Sequence, residues 1–204
     1  MDAQEFWSVK RSTRPRVVME ELLEKIPLRL PNITLQQGVN VHVPGQGQWT
    51  VSLKRGRPQV SVGAAHDALG QLVVQRRTFR EVVSGAIRDR ALEVMLQLGR
   101  PRQLPDFSHI KVDLSRLRKC ADLDGSIALE IYDKEFDETY RLIWIFGSTT
   151  EIDTEVTTTV RVGIDTPVQW IVQGQDPLHL MNSSDVRVEG ELSLPVRALR
   201  ILFQ

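Results

Sequence analysis

The stretch Val39-Asn40-Val41-His42-Val43-Pro44-Gly45-Gln46-Gly47-Gln48-Trp49-Thr50-Val51-Ser52-Leu53 decides the fold class. Apolar side chains alternate with polar ones before and after a Pro-Gly turn. A period of two puts Val39, Val41, Val43, Trp49, Val51 and Leu53 on one face of a hairpin. The spacing therefore predicts two antiparallel strands with one buried face. Downstream, Lys54-Arg55-Gly56-Arg57-Pro58 reads as a second turn, with Val60 and Val62 continuing the sheet. Leu72-Val73-Val74 reads as a buried strand. From Thr78 the period changes, and Phe79, Val82, Val83, Ala86 and Ile87 share one helical face. Arg88-Asp89-Arg90 is expected to interrupt that helix, with a short one resuming through Leu92, Met95 and Leu96. Upstream, Val17, Val18, Leu22 and Ile26 predict an amphipathic helix closed by Pro27.

The same scheme recurs further along the chain. Ile127, Leu129 and Ile131 alternate, an acidic turn spans Asp133–Glu138, and Tyr140, Leu142, Trp144 and Phe146 alternate again. Thr157–Val162 is rich in β-branched residues and reads as a strand. Thr166-Pro167 supplies a cap and a first-turn proline for a helix carrying Val168, Ile171 and Val172. Val186-Arg187-Val188-Glu189 alternates, and Leu194 to Phe203 forms a closing apolar helix. The offsets between the halves are nearly constant. They are 88 residues from Val39 to Ile127, 91 from Trp49 to Tyr140, 89 from Gly85 to Gly174 and 86 from Leu92 to Leu178. Four elements in one order at one spacing point to duplication. The proline-rich Gly99-Arg100-Pro101-Arg102-Gln103-Leu104-Pro105 reads as the linker, so the expected domains are 1–105 and 106–204.

The chain has 204 residues, and its apolar and charged fractions, 41% and 25%, are those of an ordinary globular protein. Its formal charge of zero conceals an asymmetry. Residues 1–105 carry 16 Lys+Arg against 9 Asp+Glu (+7), and residues 106–204 carry 10 against 17 (−7). Such a split reads either as drift between solvated surfaces or as mutual attraction of the halves, of a second copy or of an anionic partner. Cys120 is the single cysteine, so neither an intrachain disulfide nor a cysteine metal cluster can form. The opening Met1-Asp2-Ala3-Gln4-Glu5 is polar and acidic, unlike a secretory signal, and no apolar run is long enough to span a bilayer. These features lead us to expect a cytoplasmic protein.

Reaction chemistry finds little support. The four histidines, His42, His66, His109 and His179, have no metal-ligand spacing. Gly45-x-Gly47 lacks the third glycine of a nucleotide loop and opens no helix. Asp133, Glu135, Asp137 and Glu138 lack a calcium loop's central glycine, and Trp144 stands where its bidentate glutamate belongs. Lys54, Arg55, Arg57, Arg76, Arg77 and Arg80 have few aromatics among them, which argues against nucleic-acid binding. No enzyme, cofactor or metal is expected.

In the second half the order becomes familiar. A strand Val160-Arg161-Val162 leads into a helix ending at Gly174, then Gln175-Asp176-Pro177-Leu178, then Val186-Arg187-Val188-Glu189-Gly190-Glu191 and an apolar terminal helix. This resembles the sterol carrier protein 2 family, with Glu191 where an acidic residue follows glycine. Asn182-Ser183-Ser184-Asp185 departs from the family's usual step. The resemblance covers residues 110–204 and extends more thinly over 33–98. It implies an α+β fold of two sterol-carrier-like modules, each a mostly antiparallel sheet covered by helices with an apolar tunnel between the layers. It also implies non-enzymatic binding or transfer of a lipid, sterol or fatty acyl chain. The expected ligand-binding residues are Trp144, Phe146, Trp170, Met181, Leu194, Leu199, Leu202 and Phe203, although ordinary core packing would select the same side chains. The alternative is a protein-interaction or assembly module, pairing with a protein partner or a second copy, whose tunnel is filled by side chains.

Overall fold

A computed structural model describes residues 8–25, 34–99, 118–147, 152, 155–168, 181 and 184–203, with Leu202 and Phe203 described through the backbone alone. The alternating stretches fold as strands. β1 (Leu35–Val43) and β2 (Gly47–Lys54) pair antiparallel with Val41 opposite Trp49, and β3 (Arg57–Val62) pairs with β2. Arg55 and Gly56, both at positive φ (52° and 73°), make the tight turn that joins β2 to β3. β4 (Gly70–Val74) lies parallel to β1. In the second half β5 (Ser126–Asp133) pairs antiparallel with β6 (Glu138–Phe146) and parallel with β7 (Thr158–Gly163). β7 in turn pairs antiparallel with β8 (Val186–Gly190).

The eight strands among the described residues belong to one sheet, in the order β3-β2-β1-β4-β6-β5-β7-β8. The halves meet where β4 pairs antiparallel with β6, from Gly70 opposite Phe146 to Val74 opposite Leu142. Within each half the logic is alike: a hairpin, then a strand parallel to the hairpin's first member. The outer neighbours differ. β3 flanks β2 while β4 flanks β6, and β8 flanks β7 while β6 flanks β4.

The described helices cover one face. Residues 15–25 wind as a continuous segment, α1: an α-turn (Pro15–Val17), a π-turn (Val18–Leu22) and a 3-10 turn (Leu23–Lys25). Its Val18 and Met19 join Val41, Val43, Trp49, Val74 and Phe79 in the first-half core. α2 (Arg76–Ser84) supplies Phe79, and buried Thr78 in its first turn accepts the Arg141 backbone N–H through Oγ1 at 3.0 Å. α3 (Ala86–Gln97) crosses to the second half, where Ile87 packs with Ile131, Tyr140, Val160 and Val162. α4 (Ser193–Phe203) packs Leu194 and Ala198 on Cys120 and Phe146. Val73, Ala128, Ile143 and Ile145 form a smaller apolar cluster on the opposite face of the sheet.

The break between α2 and α3 differs from the sequence expectation. Arg88-Asp89-Arg90 lies inside α3, and the interruption falls at Gly85, whose backbone is extended (φ −128°, ψ −145°). The cause is Glu81. Its carboxylate folds back over Gly85 and accepts the Ala86 N–H at 2.9 Å, restarting the helix. A Cβ on Gly85 would stand 1.8 Å from Glu81 Oε2.

Candidate functional site

Strand register builds the site. Val41, Leu72, Trp144 and Ile127 stand opposite one another across β1, β4, β6 and β5. Beside them Val74, Leu142, Leu129, Val160 and Val188 make a second row, from β4 to β8. Side chains paired across neighbouring strands share a face, so this apolar surface runs unbroken from one half into the other.

A cavity of about 410 Å³ lies above that surface. Its floor comes from Leu72, Ile127, Leu129, Leu142, Trp144 and Val160. Leu35, Val39 and Leu69 form the wall on the first-half side. Phe146, Cys120 and Met181 form the wall on the other, and Pro195, Ala198 and Leu199 of α4 lie over it. The described lining side chains are all apolar apart from the Cys120 thiol and the Trp144 indole nitrogen. Burial pushes the Cys120 thiol up to about 11, so it stays protonated at neutral pH. Trp144 Nε1 is buried with no hydrogen-bond partner among the described residues, and a Cβ on Gly70 would stand 3.2 Å from it. The Trp144 and Phe146 rings lie 6.2 Å apart at 57°, a tilted pair.

Four of the residues expected from sequence line this cavity: Trp144, Phe146, Met181 and Leu199. Leu194 does not line it and is instead fully buried against Cys120, Phe146 and Ala198. Trp170 and the side chains of Leu202 and Phe203 lie outside the described residues, as do Gly174 and the linker at 100–105. Sequence reasoning missed the first-half wall. Val39 carries only the signal of strand periodicity, which marks a buried face without saying whether packing or a cavity lies above it, while Leu35 and Leu69 lie just outside the alternating stretches.

Two polar clefts, of about 630 and 610 Å³, flank the β5–β6 turn and share Lys134, Ile164 and Asp165. Several of their charged groups are held in ion pairs. Arg90 donates to Asp165 and Glu93, each at 2.7 Å, and Arg161 is paired with Glu130 and Glu189. Among the described residues no group of three His, Cys, Asp or Glu side chains could hold a metal ion, and no helix is long and apolar enough to cross a membrane.

Comparison with known proteins gives sparse results. No family model matches the chain. No curated protein matches it either. Among solved structures the chain is similar to Sterol Carrier Protein 2 Like 2 from Aedes aegypti, with a TM-score of 0.30 and 13% identity, over 39% of this chain and 74% of that one.

Proposed function

We propose that this chain binds an apolar ligand, such as a lipid, a sterol or a fatty acyl chain, in the cavity above β4–β7, without chemistry of its own. The cavity is the observation that carries this reading, because a side-chain-filled layer would mark the scaffold alternative instead. Its volume of about 410 Å³ falls within the range of small-molecule sites. It has room for roughly a dozen units the size of a water's share of liquid volume. Each methylene moved from water into such a lining contributes about 0.8 kcal/mol. No counter-ion or catalytic group is needed to hold a tail. Trp144, Phe146, Met181 and Leu199 are the contacts, and the outer part of α4 closes over the ligand. The reading includes two diverged sterol-carrier-like modules in tandem, 1–105 and 106–204, supported by the sequence offsets and by the hairpin with a strand parallel to its first member that both halves contain. We expect the protein to act in the cytoplasm.

Binding of the neutral dye N-phenylnaphthylamine tests the reading. Saturable, one-to-one fluorescence enhancement is expected. Met181→Trp and Leu199→Trp should each weaken it at least about tenfold, equivalent to about 1.4 kcal/mol of lost binding, while the melting temperature is retained. A wild-type protein that shows no saturable binding of the dye or of a long-chain alcohol is not a carrier.

A further inference from the structure

The cavity belongs to neither half alone. Leu35 and Val39 come from β1, Leu69 immediately precedes β4, and Leu72 stands on β4 directly opposite Trp144 on β6. Met181, Leu199 and Phe146 face them from the second half. The strand pair at the floor, β4 and β6, is also the pair that joins the halves. Their fit is mutual: Gly70 of β4 has no side chain where the Trp144 ring passes, and any Cβ there would meet Ile145 O at 2.8 Å. Removing either half would leave the other with a floor and one wall, open to water.

From this placement we infer that the ligand is held between the two halves, that Val39, Leu69 and Leu72 set the length of tail the site accepts, and that occupancy fastens β4 to β6. The inference rests on the apolar-ligand reading and extends it. Binding replaces water along a surface shared by both strands, so separating them exposes the tail as well as the strand edges. A ligand that favours only the joined state stabilises it in proportion to occupancy. The chain then responds to its ligand through the firmness of its own seam.

The test uses the full chain, the same neutral dye and a series of linear alkanols of increasing length as competitors. Val39→Phe fills the cavity from the first-half side. It should weaken the dye at least about fivefold and shorten the best-binding alkanol. Leu72→Ala enlarges the cavity from the same side and should lengthen the best-binding alkanol. Val82→Ala, at an exposed position on α2, should change neither. In the wild type a saturating alkanol should slow amide exchange across residues 70–74 and 142–146 more than across β3. If Val39→Phe does not fold, Leu72→Ala and the exchange pattern still decide. Unchanged affinity, length preference and seam exchange, in a protein that does bind the alkanols, would place the ligand in the second half alone and overturn the inference. Absence of any saturable binding would instead sink the carrier reading itself.

Discussion

Glu81 shows how much one side chain can settle. It is 5% exposed, caps α3 through the Ala86 N–H, and takes hydrogen bonds or ion pairs from Arg80 and Arg11. Burial alone would push its carboxyl up. The Ala86 N–H, the Arg80 hydrogen bond and the charges of Arg11 and Arg80 together hold it below the ordinary carboxylate range. A carboxyl whose value is lower folded than unfolded contributes stability above its unfolded value and loses it as pH falls through the folded one. Glu81→Gln should therefore cost about 1–3 kcal/mol near pH 7, with the difference from wild type shrinking in acid. Urea melts at both ends of that range check it, and an equal loss at every pH would contradict the assignment. Gly70 is the second decisive position. Gly70→Ala would force the β4–β6 pairing apart or displace the Trp144 ring. The expected cost is about 1–3 kcal/mol, as for overpacked cores, read as a lower denaturant midpoint with weaker dye binding.

At the scale of elements, what was legible followed from periodicity. The eight strands among the described residues overlap stretches expected from alternation, from a β-branched run or, for β4, from the apolar run Leu72-Val73-Val74, and a half-buried strand advertises its face every second residue. The α2–α3 break was not legible, since it depends on a carboxylate folding back rather than on the charged run at Arg88-Asp89-Arg90. The closing helix was legible as a helix but not in its division of labour. Its first turn is core: Leu194 is fully buried, and Glu191 anchors the entry by accepting from Ser193 Oγ and from Arg197 at 3.0 Å. Pro195, Ala198 and Leu199 face the cavity. Two truncations should therefore differ. Removing residues 199–204 should leave a cooperative melt and weaken dye binding. Removing 194–204 should also lose the buried Leu194, at about 2–5 kcal/mol, a large share of a domain's stability. Identical melts for the two would mean that Leu194 does not anchor the helix.

The whole molecule is organised around the β4–β6 seam, and the sequence is silent about it. Leu72-Val73-Val74 announces a buried strand, yet nothing in an apolar run names its partner. The charge split found in the sequence has a physical counterpart between the halves, because Arg77 pairs with Glu138 and Arg90 with Asp165, each basic group from the first half meeting an acidic one from the second. These pairs are largely exposed, each worth about 0.2–1 kcal/mol and screened by salt. Raising the salt concentration should lower the melting temperature slightly, while Arg90→Ala should reduce that dependence. Because the sheet is continuous, tryptophan fluorescence and far-ultraviolet dichroism should give one coincident transition. Two separated midpoints would show that the halves unfold independently.

The outer edges of the sheet are treated differently from the seam. On β3, Glu24 Oε1 accepts the Val60 N–H at 2.7 Å, occupying an edge donor that a stray strand would seek. The facing edges of β4 and β6 are covered by each other, while their far edges pair with β1 and β5. Should the seam part, each chain would present two bare strands whose only matched complement is the opposite strand of its own sequence. A neighbouring copy offers that complement in the same register as the chain itself. Two opened chains that traded halves would close again with every seam hydrogen bond restored, so a variant with a loosened junction, such as Gly70→Ala, is expected to form more dimer with rising concentration than the wild type, as read by size-exclusion chromatography.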